Sequence, residues 1–431
     1  MSLAVVVAAL GYFVDIFDLL LFALLRKRSL SDVLATQLGE LPAERHDAFL
    51  KDWGIWLDNT LQMTGLMVGG IVWGVLGDRL GRLAVLFGSI LLYSIANLIN
   101  AAIADVDAAG ALGFLHTIGL GTAIRQYEVL RFVAGVGLAG ELGAGITLVA
   151  ELTSRERRGV ATTIVATVGI LGAVAGYFVT VEVHWRTAFM IGGFLGLALL
   201  ALRIGVVESG MFMRAEQAHV RHRGAFWLLF WPPARLKRYL STVLIAVPIW
   251  FVVGTLVKNC DRILPSLGLP IEEKPNPARA IMWCYVGLAL GDLGSGLVSQ
   301  WMGSRRKAIV LFHLLTLVAL GLYFTVATRS LTAFHAVICV LGFASGYWAV
   351  FATISAEQFG TNLRGTAATT APNVVRWSAA WTGGAWLALS GMWDSPGKAA
   401  LAVAVVVLPL AMVATLGLRE SYGLDLDFNE D

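Results

Sequence analysis

Seven polar residues interrupt stretches that are otherwise apolar, and their types define the chemistry open to this chain. Asp15 and Asp18 stand three apart, so on a helix they share one face. Two close carboxylates do not both ionise easily, and in apolar surroundings they must face a polar cavity, take a proton or meet a cation. Arg131 and Glu141 are about 15 Å apart along a helix, too far to pair with each other, so each needs a partner from elsewhere. The first-half carboxylates are candidates for Arg131; a fixed interhelical salt bridge is the other use of either residue. Arg376 follows Pro372 by four positions and Asn373 by three. A proline-loosened helix exposes backbone groups to a polar solute, and an arginine beside an asparagine favours a carboxylate. Asp292, between Gly291 and Gly294, is a candidate for coupling or for neutralising Arg376. Such a set suits binding of a polar organic solute and exchange of a proton. For Asp15 or Asp18 the plainer alternative is closure of a helix contact on the inner side.

The elements that carry these residues are membrane spans. Of 431 residues, 57% are hydrophobic and 14% charged, against about 25% charged in soluble domains. Apolar runs long enough to cross the hydrocarbon layer recur from Leu3 to Gly417. Backbone groups must be satisfied inside such a run, so it is a helix, and no sustained period-two alternation suggests a barrel. Twelve spans are expected, near 3–25, 54–77, 84–104, 128–150, 160–180, 187–207, 240–258, 278–301, 307–327, 332–355, 367–391 and 397–417. The first lacks a basic leader and carries Asp15 and Asp18, so it reads as a retained span. Short loops with Arg79, Arg82, the basic connector after span six, and Arg305, Arg306 and Lys307 assign one face to the cytoplasm with both termini. Arg26, Lys27 and Arg28 oppose that bias.

The chain repeats itself. Gly74 to Arg82, after span two, is echoed by Gly296 to Arg306 after span eight. Glu151 is followed seven residues later by Arg158 and Gly159, as Glu357 is by Arg364 and Gly365. Two patterns in one order imply related six-helix halves. The domain reading is an N-terminal bundle 1–207 with extended external segments 26–53 and 105–127, a cytoplasmic interfacial linker 208–239, a C-terminal bundle 240–417 and a cytoplasmic tail 418–431.

These motifs, with Arg131 to Gly137, Trp185-Arg186 and Glu208-Ser209, resemble the major facilitator superfamily. Asp15 to Asp18, Gly140-Glu141 and Glu357 with Arg364-Gly365 resemble its metabolite:proton symporters. The resemblance implies an all-α membrane protein of twelve helices in two pseudo-symmetric bundles. It places Glu141 centrally and gives a gating role to Gly74, Asp78, Arg79, Gly81, Arg82, Glu151, Arg158, Glu357 and Arg364. Gln300 stands where the second copy would carry an acid, so that half departs from a carboxylate latch.

The expected function is secondary active transport of an organic anion or zwitterion by a monomer in a bacterial-type inner membrane. The proton is the expected coupling ion, with sodium the alternative. Export by antiport of a larger metabolite such as a siderophore is the second reading. No cofactor or nucleic-acid partner is expected beyond solute and lipid. Cys260, Cys284 and Cys339 suggest neither a disulfide framework nor a metal site. No Walker motif marks a pump, and no HExxH or GxSxG marks an enzyme. A receptor or passive channel would share the helices. His313 and His116 read as structural residues.

Overall fold

A computed structural model describes residues 3–110, 112–153, 155–204, 224–267, 275–425 and 428–430; the side chains of residues 3–4, 150–151 and 155–158 lie outside that description. The gating expectations on Glu151 and Arg158, and linker residues 208–223, therefore fall outside it.

Twelve membrane helices form two six-helix bundles. The first contains α1 (Leu3–Val33), α2 (Met63–Leu80), α3 (Arg82–Asn100), α4 (Ala123–Leu152), α5 (Arg155–Glu182) and α6 (Trp185–Leu202). The second contains α7 (Pro233–Val257), α8 (Pro277–Trp301), α9 (Arg305–Thr325), α10 (Leu331–Glu357), α11 (Arg364–Trp393) and α12 (Pro396–Gly417). Among the described residues, eleven helices are long and apolar enough to cross a membrane. The exception is α11, which has 30 residues but buries Thr366, Thr369, Thr370, Asn373 and Arg376. It can be polar because α2 and α4 cover it from one bundle and α7, α10 and α12 from its own.

Several boundaries differ from the sequence expectation. No glycine or proline lies between Gly11 and Gly39, so α1 runs on to Val33 and takes Arg26, Lys27 and Arg28 into the helix. Segment 26–53 is mostly helical: Ala43–Ile55 passes through a π-helical stretch, Trp56–Gln62, into α2. A second π-helical stretch, Val252–Val257, ends α7. In segment 105–127, the four-residue helix Phe114–Thr117 sits among turns and is anchored by His116 Nε2 against Val106 O at 2.7 Å.

Small residues decide where helices touch. A Cβ on Gly346 would lie 2.5 Å from Gly291 Cα, so α8 and α10 cross almost backbone to backbone. At that crossing α10 breaks into Leu331–Ala344 and Trp348–Glu357. At equivalent places in the two halves, Gly81 and Gly303 have φ of 101° and 57°, which lets α2 reverse into α3 and α8 into α9 within a residue or a few.

Candidate functional site

The two bundles meet at a buried ion pair. Arg376 Nη2 of α11 lies 3.4 Å from Asp15 Oδ2 of α1, with both side chains fully enclosed. Asn373 holds the arginine's base: its Oδ1 accepts from Arg376 Nη1 at 3.4 Å, while its Nδ2 donates to Ala139 O of α4 and Thr369 O, both at 2.8 Å. The Trp348 ring lies 5.7 Å from the guanidinium carbon, a cation–π distance. Asp15 Oδ1 and Arg376 Nε have no hydrogen-bond partner. Since buried polar groups are nearly always satisfied, the pair keeps capacity for a further ligand.

Asp292 does not supply the counter-charge of Arg376. Its Oδ1 instead accepts from Ala349 N at 3.1 Å. The break in α10 leaves the first N–H groups of Trp348–Glu357 without helical partners, and Asp292 satisfies one of them from α8.

Arg131 takes its hydrogen-bond partners from asparagines, with Asp18, one of its candidate carboxylates, within Coulombic reach but not hydrogen-bonded to it. Its Nη2 donates to Asn97 Oδ1 at 3.2 Å, and the Asn100 side-chain carbonyl, suitably turned, accepts from Nη2 and Nε. Phe189, Tyr127 and Phe22 surround the guanidinium carbon at 4.7, 5.7 and 5.9 Å from their ring centres. Asp18 is buried nearby, facing Gly192 and Asn97, and neither carboxylate oxygen makes a hydrogen bond of ordinary geometry. Glu141 pairs with Arg203, the residue that caps α6, and the pair closes over Gly11 of α1. Arg203 was not evident as a site residue because an arginine at the end of an apolar run reads as an interfacial anchor; here it is buried.

At the end of the bundles carrying Asp78, a latch joins the halves. Asp78 accepts from Gly365 N at 2.9 Å and from Thr366 N and Oγ1, both at 2.7 Å. A carboxylate from α2 thereby caps the N-terminus of α11, where unpaired N–H groups and the helix dipole favour an anion. Arg82 steadies it, with Nη1 3.5 Å from Asp78 and 2.9 Å from Gly77 O. A Cβ on Gly74 would lie 3.0 Å from Thr366 Cα, so glycine permits the approach. Arg79 is exposed. The repeat-related contact places Gln300 Oε1 against Gly159 of α5, so an amide occupies the corresponding position. Arg364 Nε donates to Ala356 O at 3.2 Å, and Glu357 accepts from Arg305 Nη2 at 3.3 Å and from Ser421 Oγ at 2.8 Å.

The tail ties this end together. Glu430 pairs with Arg235 at 3.1 Å and Arg238 at 2.5 Å and accepts from Gly360 N at 3.3 Å. Glu420 accepts from Ser304 Oγ and from the N–H groups of Arg305, Arg306, Ser421 and Tyr422. Partial burial works to raise its pKa, but these donors outweigh it and hold the carboxyl below the ordinary glutamate value.

A second clasp closes the opposite end. Lys258, which caps α7, has its Nζ 2.6 Å from Asp58 Oδ2, both side chains being buried, and Arg26 Nη2 donates to Lys258 O at 2.9 Å. Lys51 bridges Asp47 at 3.0 Å and Asp261 at 2.7 Å. Asn59 Nδ2 lies 3.5 Å from Gly254 O, joining the two π-helical stretches. None of these was picked out from sequence: a charge at the edge of an apolar run gives no sign of its partner. His313 matches its structural reading, buried with Nε2 2.9 Å from Ile245 O.

A family model described as Major Facilitator Superfamily matches residues 57–381. The niacin transporter NiaP of Acinetobacter baylyi is 25% identical over 353 residues, which is 73% of this chain and 75% of that protein. The 3-(3-hydroxy-phenyl)propionate transporter of Escherichia coli is 26% identical over 322 residues, 72% of each chain. Among solved structures, the proton:xylose symporter XylE bound to 6-bromo-6-deoxy-D-glucose shares the fold with a TM-score of 0.73 over 99% of this chain and 97% of that one, at 16% identity. With clasps between the bundles at both ends and a buried charge pair between them, this chain belongs to the Major Facilitator Superfamily and is a multi-pass membrane transporter.

Proposed function

We propose that the protein imports a small carboxylate-bearing organic solute across a bacterial-type inner membrane by proton-coupled symport, with the Asp78 end in the cytoplasm. The observation that carries this reading is the Asp15–Arg376 pair across the bundle seam. Arg376 has a planar fork suited to a carboxylate, an asparagine orienting it and an aromatic face at its side. A solute carboxylate would replace Asp15 as its partner, and an aromatic or alkyl body would rest against Trp348. The niacin and hydroxyphenylpropionate relatives add support, since both names denote transporters of small aromatic acids.

Proton coupling is assigned to Asp18 and Glu141, buried acids of the first bundle. A bundle with ionised, unpaired Asp18 has a large desolvation cost, and proton uptake removes it. The clasps at the two ends would alternate: Asp78 with α11 holds one end shut, Asp58 with Lys258 the other, and each must part for that end to open.

The test is uptake of labelled nicotinate and benzoate by the full chain in sealed proteoliposomes. Accumulation is expected with an imposed inward proton gradient and without sodium. Asp18→Asn should abolish uphill uptake while sparing exchange of solute across the membrane. Uptake that follows a sodium gradient instead, or an Asp18→Asn protein whose pH dependence equals the parent's, would overturn the coupling assignment.

A further inference from the structure

We propose that Arg203 is a positioning residue that passes the protonation state of Glu141 to the solute-binding Arg376 by exchanging partners with Asp15. The inference rests on the reading of Arg376 as the carboxylate site and extends it to a residue with no contact to solute.

Arg203 is an unusual charge. It stands at the end of α6 yet is buried, and of its donor nitrogens only Nη2 is engaged, by Glu141 Oε1. Nε and Nη1 have no partner, and neither has Glu141 Oε2. Gly11 makes the pairing possible, because any side chain there would fill the space taken by Arg203 Nη2 and Glu141 Oε1. Asp15 follows Gly11 by four residues and so lies on the same face of α1, one turn along. Its Oδ2 faces Arg376 and its Oδ1 is unpartnered, and Glu141 and Arg203 both lie within Coulombic reach of it. Four charges thus alternate in sign from α11 through α1 and α6 to α4: Arg376, Asp15, Arg203, Glu141.

One arginine with two unpartnered nitrogens, within Coulombic reach of two acids that each keep an unpartnered oxygen, has two available partners. When Glu141 is ionised it holds Arg203, and Asp15 is left to Arg376. When Glu141 takes a proton, its attraction for Arg203 falls to that of a neutral hydrogen bond. Arg203 then turns its free N–H groups to Asp15, and Arg376 is released to hold a solute carboxylate. Loss of the proton reverses the exchange. Other titratable groups facing the seam are Tyr12 and Asp18 on α1, Tyr93 on α3, Arg131 on α4, and Tyr285 and Asp292 on α8. Among the described residues, α2, α5 and α10 bring no charge to Glu141 or Asp15.

The experiment is binding of benzoate to the purified full chain between pH 5 and pH 8, followed by calorimetry. The parent should bind about tenfold more tightly at the acid end, within the usual range of coupling between two sites. Glu141→Gln should bind tightly at every pH. Arg203→Gln should bind weakly at every pH, and the charge-neutral double variant should behave as Arg203→Gln, because Arg203 acts between Glu141 and the site. Arg203→Lys keeps the charge without the fork; it guards against misfolding of the neutral variants and should retain a reduced pH dependence. A double variant that binds like Glu141→Gln, or Arg203→Gln with the parent's pH dependence, would overturn the proposal, as would a parent whose binding ignores pH. Benzoate binding that is indifferent to Arg376→Ala would instead sink the carboxylate-site reading itself.

Discussion

Arg376 concentrates the chemistry of the site at the scale of one side chain. Replacing it with alanine removes charge-assisted hydrogen bonds worth about 1.5–3 kcal/mol, so solute affinity should fall about ten- to a hundredfold; competition binding measures this, and unchanged affinity would exclude the role. Legibility at this scale was uneven. The acids and arginines stood out because a charge in an apolar run is costly and so needs a purpose. Their partners did not, since Asp15 and Arg376 are 361 residues apart in sequence. Sequence offered the first-half carboxylates as candidates for Arg131; the structure hydrogen-bonds it to asparagines among aromatic rings and keeps Asp18 as a charged neighbour. Asp292 was a candidate for coupling or for neutralising Arg376; the structure sets it at the break in α10 instead of beside that arginine.

Helix ends are where the elements are controlled. Asp78→Ala deprives the first turn of α11 of its cap, a loss of about 1–2 kcal/mol, and should raise the population open at that end about tenfold. A cysteine placed at the buried Thr369, in a background with the three native cysteines replaced, should then react faster with an impermeant maleimide. Glu420 predicts a pH effect outside the membrane. Its folded pKa lies below the ordinary glutamate value, so its contribution is complete above that unfolded value and is lost as pH falls through the folded one. The difference in melting temperature between the parent and Glu420→Gln should therefore be constant at neutral pH and vanish in acid; a difference that persists in acid would exclude the linkage. The glycine-marked turns at Gly81 and Gly303 were legible because they serve local geometry. The π-helical stretches were not, having no composition of their own.

For the whole molecule, stability and conformational choice share the same contacts. Asp58→Asn would leave Lys258 buried without its counter-charge, a change of about 3–5 kcal/mol when one partner of a buried pair is removed. The protein should melt earlier and favour states open at that end, and Lys258→Met in the same chain should recover much of the loss; equal melting of parent and single variant would show the clasp contributes nothing. Sequence alone determined that the chain crosses the membrane about twelve times as two related halves, because lipid tolerates only long apolar helices and because Gly74 to Arg82 and Glu151 to Gly159 recur in order. It also marked out candidate residues through the cost of a charge inside an apolar run, but not Arg203, Asp58 or Lys258. Only the tertiary structure decided who meets whom: Asp15 with Arg376, Glu141 with Arg203, Asp78 with α11, Asp58 with Lys258. The physical reason is that burial is a property of one segment and can be read along the chain, whereas pairing depends on how two bundles pack, which no local pattern encodes.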